Sequence, residues 1–300
     1  MKAIVLTGPT ASGKTRIAEA LIDNFPDLFE IISVDSVMVY KECNIGSGKP
    51  KQDELLRYPH ALVDYLSLPK IFTAFDFLRE SHSLIKKFHS QNKFPLFIGG
   101  SMMYINSLKN GLSNDTRANQ ALREELLTRE QVDPGILHTE LTSLNPEAAK
   151  KIAANDLVRL VRAIERVTLP TTGEKLEGIA SSELIEIGLF PSDRSSLQKN
   201  IEQRQHQIIS NGLLEECQEI FANSSLPKHH PIQKAVNYKQ GFQVLSNEIT
   251  QDELFEKSLI ATRQLAKKQL TWMRSWESME FFDLMDEKKI FQYIEKSLEI

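Results

Sequence analysis

Hydrophobic positions along the chain show two textures, and the change comes near residue 115. Before it, short apolar runs alternate with helical patterns. Ala3–Leu6 is a continuous apolar run that breaks at Gly8 and Pro9, which predicts a buried strand. Ile17, Ala18, Leu21 and Ile22 recur at helical spacing and predict a helix over Lys14–Asn24 with one buried face. Phe29–Val34 is rich in β-branched residues and predicts a second strand, ending at Asp35. Thr73, with Asp76 three positions on, resembles a capping box; the helix it opens runs to about Gln91. Pro95–Ile98 predicts a third strand, running into Gly99, Gly100 and Ser101. Strands alternating with helices predict a parallel, doubly wound sheet.

From about Asp115 to Thr172 the strand signal all but disappears. Helical patterns cover about Arg117–Glu130, Pro134–Ser143, Pro146–Ala153 and Asp156–Val167, with Asn145-Pro146 and Asn155-Asp156 as helix starts. Residues 115–180 therefore read as an all-helical insertion on an α/β core made of residues 1–114 and 181–300. Strand character returns at Leu184–Phe190. Helices follow over Leu197–Asn211, ended by Gly212, and over Gly212–Asn223. A basic helix over Ala261–Trp276, a strand over Met279–Leu284 and a helix from about Glu287 complete the chain.

Composition narrows the class of protein without choosing a function. A chain of 300 residues, 41% hydrophobic and 25% charged, can bury a large core and matches a soluble globular protein. Cys43 and Cys217 give neither a disulfide framework nor a metal-ligand spacing, which suits a reducing, cytoplasmic setting. The N-terminus enters a core strand at once, so no signal peptide is expected. No apolar run approaches membrane-spanning length. The formal net charge of −4 argues mildly against a nucleic-acid partner, although clustered basic residues can still form a local patch.

The chemistry is concentrated at the carboxyl ends of the first three strands. Gly8, Gly13, Lys14 and Thr15 fit the spacing G-x-x-x-x-G-K-[ST], enclosing Pro9, Thr10, Ala11 and Ser12, in a strand–loop–helix setting. Such a loop turns backbone N–H groups around phosphate oxygens at a helix N-terminus. Lys14 adds a full charge, and the Thr15 hydroxyl can hold Mg²⁺. The expected fold class is thus α/β: a P-loop NTPase-like parallel sheet core flanked by helices, with the helical insertion. Asp35 and Ser36 lie just past the second strand and Ser101 just past the third, at the edge where ligands bind in such sheets. A carboxylate there can take a proton from a substrate or hold a metal-bound water. Lys49, in the loop Asn44–Pro50, could contact substrate or lie in a plain surface loop. Arg159, Arg162 and Arg166 share one helix face, a positive stripe suited to phosphate or RNA backbone or simply to solvent. Arg263, Lys267, Lys268 and Arg274, interleaved with Trp272 and Trp276, suit nucleic-acid contact or an ordinary amphipathic helix. His229 and His230 are weak evidence for a metal.

Taken together, these segments resemble the bacterial tRNA dimethylallyltransferase family. The matching stretches are GPTASGKT at Gly8–Thr15, SVDSVMVY at Ser33–Tyr40, IGSGKP at Ile45–Pro50, GGSMMY at Gly99–Tyr104, NDLVRLVRAIE at Asn155–Glu165, and ATRQLAKKQLTWMRSW near the end. The resemblance implies transfer of the dimethylallyl group from dimethylallyl diphosphate to the exocyclic amine of the adenine 3′ of the tRNA anticodon. By that resemblance Gly8–Thr15 would hold the diphosphate, Asp35 would be the general base, and Lys14 and Mg²⁺ at Thr15 would stabilise the leaving group. Ser101 would hydrogen-bond the target nucleotide. The family's tRNA-contact positions fall on Asp35, Ser36, Val37, Met38, Ser101, Arg123, Val158, Arg159, Leu160, Val161, Arg162, Lys234 and Lys239. The implied partners are tRNA, through its anticodon stem-loop, and dimethylallyl diphosphate, with no membrane; the implied enzyme is a cytoplasmic monomer. A nucleoside or small-molecule kinase and a transferase acting on free adenine nucleotides are the alternatives. The sequence departs from the family at VNYKQ, where V-G-Y-R-Q is usual: Asn237 replaces glycine at a possible positive-φ position, and Lys239 replaces an arginine. LVRLVR also lacks the usual proline and glutamine after Asn-Asp.

Overall fold

The computed structural model describes residues 2–114, 119–170, 173–227, 229–283 and 285–300. The expected helix start at Arg117 and strand end at Leu284 lie outside the described residues. Eight strands occur among them: β1 (Ala3–Thr7), β2 (Phe29–Val34), β3 (His60–Ala61), β4 (Phe94–Gly99), β5 (Leu112–Asn114), β6 (Glu174–Leu176), β7 (Leu184–Leu189) and β8 (Glu280–Phe282). Contacts divide the chain into two compact units, Met1–Asn110 with Gly178–Ile300, and Gly111–Glu177.

The first unit is built on a six-stranded, all-parallel sheet in the order β3-β2-β4-β1-β7-β8. Parallel strands covered on both faces should be apolar throughout, and β1 and β7 are buried at every position. On one face Ile4, Leu6, Ile31, Leu96 and Ile187 pack against Ile17 and Leu21 of the helix Lys14–Asn24 and against Ile290 and Ile294 of the helix Glu287–Leu298. On the other face Phe77 stacks on Tyr104 at 4.5 Å and meets Phe97 edge-on at 6.3 Å. The strand order has a functional consequence. The ends of β2, β4 and β1 lie side by side, so the segments after residues 7, 34 and 99 emerge together. Close packing at that edge requires Gly99, because a Cβ there would sit 2.1 Å from the carbonyl oxygen of Val34.

The second unit has its own core. Leu126, Leu137, Leu141, Leu160 and Ile164 meet from the helices Gln120–Val132, Ile136–Leu144 and Leu157–Thr168. Asn119, Asn145 and Asp156 cap helix starts, each accepting from a backbone N–H three residues on. The unit is not wholly helical: β5 and β6 pair antiparallel. Three-residue strands are too short to show a period-two pattern, which is why the sequence does not reveal them. The helix expected over Pro146–Ala153 stops at Ala149, where Lys151 and Ile152 turn back onto the carbonyls of Ala148 and Ala149.

Elsewhere, short helices at Gln52–Arg57, Met102–Asn110 and Tyr238–Leu245 are additions to the sequence-based picture. The basic helix spans Glu253–Arg274, starting two turns earlier than its charge pattern suggests, because Leu254 and Leu259 extend its buried face. No helix among the described residues is long and apolar enough to cross a membrane.

Candidate active site

After β1 the chain makes a tight loop. The Ser12 N–H donates to the Pro9 carbonyl at 3.2 Å, and Ala11 and Gly13 take positive φ values of 60° and 77°. Gly13 is the N-cap of the helix Lys14–Asn24 and offers no side chain to cap it. Its first-turn N–H groups and positive dipole end thus remain available to an anion. The Lys14 ammonium folds back onto the loop, donating to the carbonyls of Gly8 at 2.9 Å and Pro9 at 2.8 Å. Burial and the nearby Arg204 lower its pKa to about 7, against the opposing pull of Asp35.

Asp35 follows β2. Its Oδ1 accepts from the N–H groups of Val37 at 2.8 Å and Met38 at 3.1 Å. The second oxygen takes no hydrogen bond from the described residues, so one lone-pair set stays open to the site. Burial raises the Asp35 pKa; the two N–H bonds, Arg204 and Lys14 restrain the rise. Ser101, past β4, is tied to the same turn: its N–H donates to the Val34 carbonyl at 3.1 Å and its Oγ accepts from the Ser36 N–H at 3.1 Å. The Ser101 hydroxyl therefore already supports the backbone beside Asp35.

The phosphate loop, Asp35, Val37 and Met38 line one cavity of about 590 Å³. The wall is completed by the Gly46–Pro50 loop, by Gly99 and Gly100 and by residues whose contacts no motif announces. Arg204, on the helix Arg194–Ser210, reaches the cavity and donates to the Gly48 carbonyl at 3.2 Å; burial lowers its pKa. Glu216 is buried and gathers the N–H groups of Asn44, Ile45 and Gly46 at 2.7–2.9 Å, together with the Tyr238 hydroxyl at 2.7 Å. His60 also lines the cavity, with Nδ1 2.6 Å from the Tyr58 carbonyl, and burial lowers its pKa. Lys49, for which substrate contact and a plain surface loop were both open, is held from several sides. Its loop borders the cavity, but its ammonium is buried against the Tyr40 carbonyl, Asn44 Oδ1 and Asp64 Oδ1 at 2.5–2.9 Å. These oxygens satisfy all its donors, so the lysine anchors the loop.

Among the described residues there is no group of three or more His, Cys, Asp or Glu side chains placed to hold a metal. The His230 ring is buried, with Nε2 3.1 Å from the Lys70 carbonyl and Nδ1 accepting from the Ile232 N–H. The donors near the phosphate loop are oxygens, the exposed Thr15 hydroxyl and the Asp35 carboxylate, both in the cavity wall. This sparse, hard set fits Mg²⁺ carried by a diphosphate and its waters better than a metal caged by protein.

The family model described as IPP transferase matches residues 38–276. The chain belongs to that family. It is 36% identical over 289 residues to a tRNA dimethylallyltransferase of Hydrogenovibrio crunogenus, covering 93% of this chain and 88% of the relative. It is 38% identical over 287 residues to a tRNA dimethylallyltransferase of Legionella pneumophila, covering 93% and 90%. The fold matches a tRNA isopentenylpyrophosphate transferase of Bacillus halodurans at 27% identity and TM-score 0.72, over 99% of this chain and 97% of that one. A eukaryotic dimethylallyltransferase captured acting on tRNA shares the fold at TM-score 0.75 and 20% identity, over 94% and 74% of the two chains.

As an IPP transferase the chain has further positions where RNA contact was expected, and the structure sorts them. Leu160 and Val161 are buried in the core of the second unit, so their side chains do not face a ligand; helical period turns them inward. Val158 is 72% exposed, and Arg159 is exposed beside Asp156 at 3.3 Å. Arg123 and Arg162 are half-buried around Glu165, which takes two bonds from Arg123 at 2.7 Å and one from Arg162 at 3.0 Å. In the first unit Lys234 and Lys239 are exposed. Lys267 and Lys268 are exposed and Trp272 half-buried, whereas Trp276 is a core residue beneath the Lys109 ammonium, 5.0 Å from its ring.

Proposed function

We propose that this chain transfers the dimethylallyl group from dimethylallyl diphosphate to the exocyclic amine of the adenine 3′ of the anticodon in tRNA. The observation that carries this reading is the convergence of Lys14, Arg204, the uncapped helix start and Asp35 on one cavity. The tRNA acceptor rests on the family and on what the relatives' names say they act on. That acceptor separates the reading from the kinase and free-nucleotide alternatives.

The chemistry follows from the side chains. The adenine amine attacks the allylic carbon, the carbon–oxygen bond breaks, and its electron pair leaves with the diphosphate. Negative charge grows on that diphosphate, where Lys14, Arg204 and the loop N–H groups of Gly8–Thr15 stabilise it. The Thr15 hydroxyl would help hold Mg²⁺, which when bound would supply further positive charge at this end of the cavity. Asp35 receives the amine proton on its open oxygen. Held by the Val37 and Met38 N–H groups, it needs little reorganisation to do so. Ser101 contributes by fixing the Ser36 backbone beside the base and by offering its hydroxyl to the incoming nucleotide. On this reading the enzyme works as a cytoplasmic monomer. Within the first unit Asp35–Met38, Lys234 and Lys239 would contact the tRNA; within the second, taken by itself, the exposed Val158 and Arg159 with Arg123 and Arg162 would do so. The anticodon stem-loop would be the element recognised.

The test supplies radiolabelled dimethylallyl diphosphate, Mg²⁺ and unmodified tRNA, with AMP and ATP-plus-nucleoside reactions in parallel. Label on tRNA that is lost in Asp35→Ala is the expected result. Label on AMP, or phosphate transfer from ATP with no label on RNA, overturns the reading.

A further inference from the structure

Asn237, which by the resemblance stands where glycine is usual, has a backbone that a glycine would adopt more easily: φ is 75° and ψ −52°. This is a costly conformation for a residue with a Cβ, and it persists only where its surroundings hold it. Here they do. Asn237 is buried, its N–H donates to Gln240 Oε1 at 2.9 Å, and its carbonyl accepts from the Gly241 N–H at 2.8 Å. The side chain is engaged through both its amide nitrogen and its amide oxygen across the cavity wall. Nδ2 donates to the Gly46 carbonyl at 2.8 Å, and Oδ1 accepts from Gln205 Nε2 at 3.0 Å. Gln205 is itself buried, with Oε1 3.2 Å from the Thr262 hydroxyl. Gly46, Gln205, Asn237 and Thr262 all line the cavity. Gln205 also adjoins Arg204, whose guanidinium holds the same loop two residues on, at Gly48.

The loop Ile45–Pro50 is thus fastened to the helix Arg194–Ser210 at two points, one through Arg204 and one through the Asn237–Gln205 pair. An anion entering the cavity competes with the Gly48 carbonyl for Arg204. If Arg204 turns to the anion, its fastening is lost and the neutral amide pair remains as the tie between the loop and the helix Arg194–Ser210, beside the anchors that Glu216 and Lys49 give the loop elsewhere. We infer that Asn237 and Gln205 are a positioning pair, replacing a glycine's backbone freedom with a side-chain clamp that holds the loop while Arg204 engages the diphosphate. The inference rests on the cavity being the diphosphate site.

The test compares the wild-type chain with Asn237→Gly, Gln205→Met and the double variant. Asn237→Gly relieves the backbone and removes only the clamp, so it folds. Binding of inorganic diphosphate is measured by calorimetry, and KM and kcat are measured for dimethylallyl diphosphate and for tRNA. Each single variant is expected to weaken diphosphate binding and raise that KM about fivefold. Its kcat stays within about twofold, its tRNA KM is unchanged, and the double variant is no worse than either single one. Unchanged diphosphate binding in Asn237→Gly, independent effects that multiply in the double variant, or a rise confined to the tRNA KM overturns the inference. A wild-type chain that binds no diphosphate would instead sink the active-site reading itself, and the inference with it.

Discussion

The backbone N–H of Thr10 donates to Oε1 of Gln269, 2.9 Å away and 259 positions later in the chain. The same amide donates through Nε2 to the Gly100 carbonyl at 2.9 Å. One buried glutamine thus links the phosphate loop to the exit of β4 beside Ser101.

Gln269→Ala should loosen both ends of that link while leaving Lys14, Asp35 and Arg204 in place. KM for dimethylallyl diphosphate is expected to rise about fivefold to tenfold, as for the loss of one or two buried hydrogen bonds. Initial rates against diphosphate concentration measure it. Gln269→Glu keeps the acceptor for Thr10 and should fall between wild type and alanine.

Lys14 sets a pH dependence on diphosphate binding. With a pKa lowered to about 7 by burial and Arg204, it is charged below neutrality and increasingly neutral above it. A diphosphate favours the charged form, so binding above pH 7 must draw in a proton and weaken as pH rises. At pH 8 uptake of about one proton per diphosphate is expected, read from calorimetry in buffers of different ionisation enthalpy. Lys14→Ala should abolish that uptake and bind diphosphate poorly.

Asp35→Asn keeps the shape of the turn but cannot accept the amine proton. A loss of about 10²–10⁴ in kcat is expected, with tRNA binding retained. Because burial raises the Asp35 pKa, the wild-type rate should begin to fall with decreasing pH above the range of a surface aspartate. A pH profile of kcat/KM, compared between wild type and Asp35→Asn, checks both points.

Glu165 makes a separate prediction for the second unit. It is fully buried and accepts from the Asn119 N–H, Arg123 and Arg162. Burial alone would raise its pKa, but these donors outweigh burial and lower it. A depressed carboxylate pKa contributes stability above the ordinary glutamate range, and that stability is lost as pH falls through the folded value. Glu165→Gln is expected to cost about 2 kcal/mol at neutral pH, less than a wholly buried pair because both arginines touch water. Urea unfolding at pH 7 and at pH 4 measures it, and the difference from wild type should shrink at the lower pH.

How much of this was legible in the chain depended on how far apart the partners lie. Ala3–Thr15, the helix that follows, Asp35 after its strand and Ser101 after the glycine pair could all be read directly, because a turn, a cap and a strand end are set by adjacent residues. Helical period likewise held the information that Leu160 and Val161 face inward, although their place in a family motif suggested RNA contact. The positive φ of Asn237 was legible in VNYKQ, but its pairing with Gln205 was not, and the contacts of Arg204, Glu216 and Gln269 carry no local signature. Glu216 looks like any acidic position on an amphipathic helix until the fold delivers three loop N–H groups to it. Lys49 could be read as a substrate contact or as part of a plain surface loop until Tyr40, Asn44 and Asp64 surrounded it. The sequence by itself determined the glycine-rich loop, the place of Asp35 just past its strand and the alternating architecture, since backbone conformation and side-chain periodicity are short-range properties. Only the tertiary structure decided what completes the cavity, because desolvation and hydrogen-bond satisfaction depend on groups that the sheet order brings together from distant parts of the chain.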